Sequence, residues 1–190
     1  MVERGSPKEY EEKLAIVLDR LRSINPGEAK ARLDAEQKER HRVDPQAGII
    51  IVHLPDEPVN TEDGLEYRFH LARILPAQSG QQNFVTPHLH KIGGEPYRYL
   101  GGSDGEMNTG RVEGDRVEWN DPEHAVPGAE VMVKEGEVHS LRNKGGDYYD
   151  FAFACPNAHL EDNDPVARPT GDRYIVKDMP GGIPPWYSKP

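Results

Sequence analysis

From Ala47 to Cys155 the apolar residues recur at every second position in short runs, and most runs end at a cluster of Gly, Asp, Asn or Pro. A period of two is the alternation of side chains across a β-strand, whereas a helix repeats near 3.6. Tyr67, Phe69 and Leu71 alternate with Arg68 and His70, and Ile49-Ile50-Ile51-Val52 is a β-branched run. Further strands are expected over 84–90, 96–100, 106–112, 116–119, 130–133, 138–142 and 148–155. Many short strands broken by turns predict a mainly β domain, an antiparallel sandwich or barrel. The segment has no internal repeat, so one barrel is expected.

Different patterns flank it. Ser6-Pro7-Lys8-Glu9 has the spacing of a capping box with proline at the first helical position. Tyr10, Leu14, Val17, Leu18 and Leu21 then form one helical stripe, which Asn25-Pro26-Gly27 should stop. A second helix over about 28–41 lacks a strong stripe and reads as a solvated surface helix. After Pro156 the chain is rich in proline, acidic at Glu161-Asp162-Asn163-Asp164, and ends near Trp186-Tyr187, with one more strand expected over 173–176. The expected division is a helical extension (1–46), a β-barrel (47–155) and a tail (156–190) packed on the barrel or on a partner subunit.

The net charge of −10 disfavours binding to nucleic acid or an anionic membrane. No apolar run approaches the roughly 20 residues of a membrane span, and the N-terminus lacks the apolar core of a signal peptide. A single cysteine, Cys155, excludes a disulfide framework within the chain and reads as a small buried residue. A cytoplasmic protein is expected, with a small-molecule substrate and a second copy of itself (a homodimer) as partners.

Chemistry concentrates in two stretches, Thr86-Pro87-His88-Leu89-His90-Lys91-Ile92-Gly93-Gly94-Glu95 and Gly136-Glu137-Val138-His139-Ser140-Leu141-Arg142-Asn143. Alternation puts His88 and His90 on one face of a strand. Three imidazoles and a carboxylate around one point would suit one divalent transition ion (Fe, Mn, Ni, Cu or Zn), with positions left for a ligand. These stretches resemble the paired motifs of the cupin superfamily. The first motif is matched by His88, His90, Glu95 and Gly102; the second by Gly128, Gly136, His139 and Asn143. Lys134 stands where the second motif has proline, and Gly80 lies two residues too far from His88 to serve as the opening glycine of the first. The resemblance implies a single cupin-type antiparallel β-barrel, a double-stranded β-helix or jelly roll, with a metal held by His88, His90, Glu95 and His139.

Tyr97 and Tyr99 share the Glu95 face, and a phenol there could donate a proton or anchor a substrate. Arg98 should point outward into solvent, and Asn143 should hold a turn. The other histidines, His41, His53, His70, His124 and His159, lack partners at ligand spacing; His70, opposite Tyr67, Phe69 and Leu71, is expected to be exposed. Fold alone does not choose an activity. The leading expectation is oxygen-dependent, dioxygenase-type oxidation of a small polar molecule. The alternatives are redox-neutral isomerisation or lyase chemistry on a sugar or sugar phosphate, and non-catalytic binding of a small molecule.

Overall fold

A computed structural model describes residues 12–76, 83–161 and 172–187. Ser6 to Tyr10, Gly80 and Asp162 to Asp164 lie outside them. Helix α1 (Ala15–Arg22) buries Val17, Leu18 and Leu21, the stripe read from the sequence. Ser23 closes α1, and Asn25 starts the next helix: its Oδ1 accepts from the Gly27 and Glu28 amides, with Pro26 as the first residue of α2 (Pro26–Val43). That helix is not wholly solvated, because Ala29 and Leu33 are buried against the sheet. The strands follow as β1 (Ile49–His53), β2 (Val59–Asn60), β3 (Glu66–Ile74), β4 (His88–His90), β5 (Glu95–Gly102), β6 (Gly105–Glu113), β7 (Arg116–Trp119), β8 (Glu123–Ala125), β9 (Glu130–Val133), β10 (Val138–Asn143) and β11 (Tyr149–Pro156). A short α3 (Asn157–Glu161) and β12 (Arg173–Ile175) complete the order.

The strands form two antiparallel sheets. One runs β1-β3-β11-β5-β9, with β2 on β3; the other runs β12-β4-β10-β6, with β7 and β8 both on β6. Strands that follow one another along the chain take matching ranks in the two sheets: β3 with β4, β5 with β6, β8 with β9, β10 with β11. The chain therefore winds from sheet to sheet as a jelly roll does. Among the described residues no ladder joins the two sheets, so the expected barrel is a sandwich with open sides.

Both faces of the first sheet are covered, and this overturns one expectation. Tyr67, Phe69 and Leu71 pack outward against Leu14, Val17, Leu21 and Leu33 of the helical layer. The alternate residues Ala72 and Ile74 face inward with Tyr97, Tyr99, Leu141 and Phe151. His70 shares that inner face and is 1% exposed, not solvated. Polar anchors fasten the helices. Arg73 forms two 2.7 Å bonds to Asp150 and reaches Asp34 and Gln37 of α2 at 2.8 Å. Arg98 does point outward, but its Nη1 lies 2.8–3.1 Å from the carbonyls of Leu21, Arg22 and Ile24, acceptors left over where α1 ends.

The tail adds strand β12 to β4 and then crosses the outer face of the second sheet. There Trp186 Nε1 donates to Asn108 Oδ1 at 2.7 Å, and the Tyr187 hydroxyl lies 2.8 Å from Ser140 Oγ. Gly102, Gly128 and Gly136, the motif glycines, all adopt positive φ. At Gly102 the constraint is doubled, since a Cβ there would stand 2.1 Å from the Tyr148 carbonyl oxygen.

Candidate metal centre

Sheet pairing assembles the four expected ligands. His88 and His90 project inward from β4, His139 lies opposite His88 on β10, and Glu95 opens β5. Gly93, at φ 66°, turns the chain between His90 and Glu95. All four side chains are buried, and their donor atoms lie within 4.8 Å of one another.

Hydrogen bonds orient the rings. His88 Nδ1 lies 2.7 Å from the Thr86 carbonyl and His139 Nδ1 3.3 Å from that of Glu137. His90 Nδ1 lies 2.8 Å from Asp172 Oδ2. Carbonyl and carboxylate oxygens accept, so each Nδ1 carries a proton and each Nε2 is turned inward. Burial pushes His88 well below its ordinary range and His90 down to about 4, so both rings are neutral at pH 7. Burial alone would raise the Glu95 carboxyl, but His139 and His159 outweigh it and hold it ionised.

One approach distinguishes this cluster from a hydrogen-bonded core. His139 Nε2 is 3.0 Å from Glu95 Oε2, yet it makes no hydrogen bond of acceptable angle. Two donors side by side around an ion at about 2.1 Å would stand about 3 Å apart. The donor set therefore fits a divalent ion.

Around these four lies a ring of residues that the sequence did not reveal. Asp172, 1% exposed, holds His90 with one carboxylate oxygen and accepts the Lys91 and Ile92 amides with the other. His159, expected to stand apart, stacks on His90 with ring centroids 3.6 Å apart. Its Nδ1 is 2.9 Å from Glu95 Oε1 and its Nε2 2.7 Å from the Ile92 carbonyl. Both partners only accept, so a doubly protonated ring satisfies both. Burial opposes that charge, but Glu95 outweighs it and raises the pKa. Cys155 is buried, as expected, but against Glu95 and His159.

The two tyrosines separate. Tyr97 donates to Glu95 Oε2 at 2.6 Å, whereas the Tyr99 hydroxyl turns away to the Ser103 carbonyl at 2.9 Å. A cavity of about 20 Å³, lined by Tyr97, Tyr99, Met107, Ala125, Val131, Phe151 and four others, has room for about one water. Asn143 braces the turn after β10, accepting the Gly145 amide and donating to the Asp147 carbonyl.

On the inner face, the buried His70 and the more exposed His53 meet at 2.8 Å between their Nδ1 atoms. Burial and then His53 push His70 down to about 4. In the metal-free protein, acid should therefore cost stability. Between about pH 6.5 and 4 the unfolded histidines bind protons that folded His70 and His90 refuse, so stability falls with pH by roughly 1.4 kcal/mol per unit for each ring. Urea midpoints at pH 7 and pH 5 check this, and equal midpoints would contradict it.

Two motifs have thus delivered their histidines and glutamate to one buried point of a jelly roll. The fold is a cupin-type double-stranded β-helix. No protein-family model matches the chain, and no curated protein matches it. Solved structures resemble it only distantly. The polyketide cyclase RemF from Streptomyces resistomycificus is 15% identical over 57% of this chain and 65% of its own, with a TM-score of 0.36. The DMSP lyase DddQ from Ruegeria pomeroyi is 14% identical over 68% of this chain and 52% of its own, with a TM-score of 0.41. A mutant salicylate 1,2-dioxygenase from Pseudoaminobacter salicylatoxidans, in complex with gentisate, is 11% identical over 77% of this chain and 35% of its own, at 0.48. The chain spans less than two thirds of each, and similarity this distant assigns no activity.

Proposed function

We propose that the protein is a metal-dependent enzyme that oxidises a small molecule with dioxygen, through one divalent ion held by His88, His90, Glu95 and His139. The observation that carries the metal reading is the outward bonding of all three Nδ1 atoms, which leaves three Nε2 atoms and a carboxylate facing one buried point. When bound, such an ion supplies Lewis acidity and, if redox-active, the electrons that activate dioxygen. The protein's own part is to exclude water and to fix these four donors around one point, where substrate and oxygen would meet the ion.

Oxidation is favoured over proton shuffling because the acid–base groups beside the ligands are engaged. The Tyr97 hydroxyl is bonded to Glu95, and burial and Glu95 hold its phenol well above the ordinary range. His159 meets acceptors at both nitrogens. The cavity beside Tyr97 is lined by aromatic and aliphatic residues together with Glu123 and His124, and by no lysine or arginine, which disfavours a sugar phosphate. Redox-neutral chemistry keeps one specific support, the neutral inner-face His70, whose buried Nε2 has no hydrogen-bond partner among the described residues and could take a proton.

The Fe(II)-loaded protein, screened against small hydroxylated and carboxylated compounds, is expected to turn over with oxygen uptake and to stop under strict anaerobiosis. Equal turnover without oxygen would contradict oxidation and favour an isomerase or lyase. Asp172→Asn should weaken metal binding about 10- to 100-fold, because an amide cannot accept from His90 and from both amides at once. Competition with a chelator reads that loss, and wild-type affinity would show that Asp172 does not orient His90.

A further inference from the structure

His53, His70, Phe153 and Tyr97 stand opposite one another on the neighbouring strands β1, β3, β11 and β5. Residues opposite one another on a ladder project from the same face, so these side chains form one row across the inner face of the first sheet. The His70 and Phe153 ring centroids lie 4.9 Å apart, those of Phe153 and Tyr97 5.6 Å apart, and Tyr97 is bonded to Glu95. At the other end β1 is the outermost strand, and its inner-face residues Ile51 and His53 are exposed. The row thus runs from solvent to the metal ligands. Within it His70 is 1% exposed, and its Nδ1 is turned back to His53. The two nitrogens of an imidazole point away from each other, so Nε2 is turned from the edge toward the interior. Among the described residues that atom has no partner, and the charge of Glu95 acts on the ring.

Only one proton fits between two Nδ1 atoms 2.8 Å apart, so one ring donates and the other accepts. With that proton on His70, the His70 Nε2 carries a lone pair and His53 holds its proton at its own Nε2. We infer that His70 accepts the proton of a substrate hydroxyl, with His53 as the relay that passes a proton on to solvent. The substrate O–H bond breaks and an N–H bond forms at His70 Nε2. The proton between the rings moves to His53, and the proton on His53 Nε2 goes to water. Both rings end neutral in the other tautomer, and His70 Nε2 donates to the new oxygen anion, a charge-assisted bond. Burial and His53 push His70 down to about 4, and the relay meets that obstacle because His70 never keeps a charge. The other charges acting on His70, those of Glu95 and Arg68, oppose each other. The assignment rests on the metal reading above and adds to it a substrate class: a small molecule with an ionisable hydroxyl, whose oxygen reaches the ion as an anion. The proton leaves on binding, before any oxidation.

The test uses Co(II)-loaded protein at pH 7 with catechol and benzoate, which both carry a benzene ring. Catechol keeps its protons in water at that pH, since a phenol has a pKa of about 10, whereas benzoate is already an anion. Stopped-flow absorption of the cobalt reads the association rate of each. His70→Phe should slow catechol at least about tenfold and leave the benzoate rate and the cobalt content unchanged. His53→Phe keeps a ring beside His70 but cannot take its proton, and should show the same split. Because His53 is exposed, that variant decides the matter if His70→Phe does not fold. A wild-type catechol rate in either folded variant, an equal slowing of both ligands, or a wild type that does not bind catechol would overturn the inference. Cobalt content separates this failure from that of the metal reading: a wild type that takes up no cobalt overturns the metal reading, and the relay with it.

Discussion

Replacing His139 with alanine is expected to lower bound divalent metal to less than about a tenth of the wild-type content, given that even outer-shell changes cost 10–100-fold in affinity. His139 is fully buried in β10, between β4 and β6, and among the described residues its Nε2 makes no hydrogen bond. The ladder from Val138 to Asn143 is made by the backbone, so the strand should survive the loss of one ring. The β-rich circular dichroism spectrum should persist while metal analysis shows the loss. Full metal retention in a folded His139→Ala protein would remove His139 from the ligand set.

The largest effect on stability is expected at Asp150. Asp150→Ala leaves the Arg73 guanidinium, 2% exposed, with the Asp34 carboxylate and Gln37 from α2 and the face of the Tyr148 ring. Breaking a buried pair by removing one partner costs up to about 3–5 kcal/mol, and Asp34, still 2.8 Å from the guanidinium, should hold the loss at or below the lower end of that range. A double variant, Arg73→Met with Asp150→Leu, should recover much of that loss, since apolar groups of similar volume need no compensation. Urea denaturation of the three proteins measures both effects. A single variant as stable as wild type would show that Asp150 is not what holds Arg73 against the helical layer.

Period-two patterning marked the strands well because one face of each is apolar whatever its neighbours. It failed at His70, where the helices bury the outer face of β3 and the second sheet buries the inner one. Arg98 was legible as outward-facing, but not as the cap of a helix 76 residues earlier in the chain. Alternation put His88 and His90 on one face, and the resemblance to the cupin motifs added Glu95 and His139 as candidates; a bend at Gly93 and one ladder bring the four together. Asp172 lies 82 residues from His90 and reaches it only because β12 pairs with β4. The strand was visible in the sequence, but its partner was not. His159 carried no signal, for nothing local shows that α3 folds back over the Gly93 turn.

X-ray absorption on the reconstituted protein tests the metal assignment most directly. One ion per chain is expected, with imidazole and carboxylate donors at about 2.0–2.3 Å and three imidazoles in the scattering. The imidazole count should fall by one in His90→Ala or His139→Ala wherever metal remains. A first shell without histidine, or one unchanged by both substitutions, would contradict a centre built from His88, His90, Glu95 and His139.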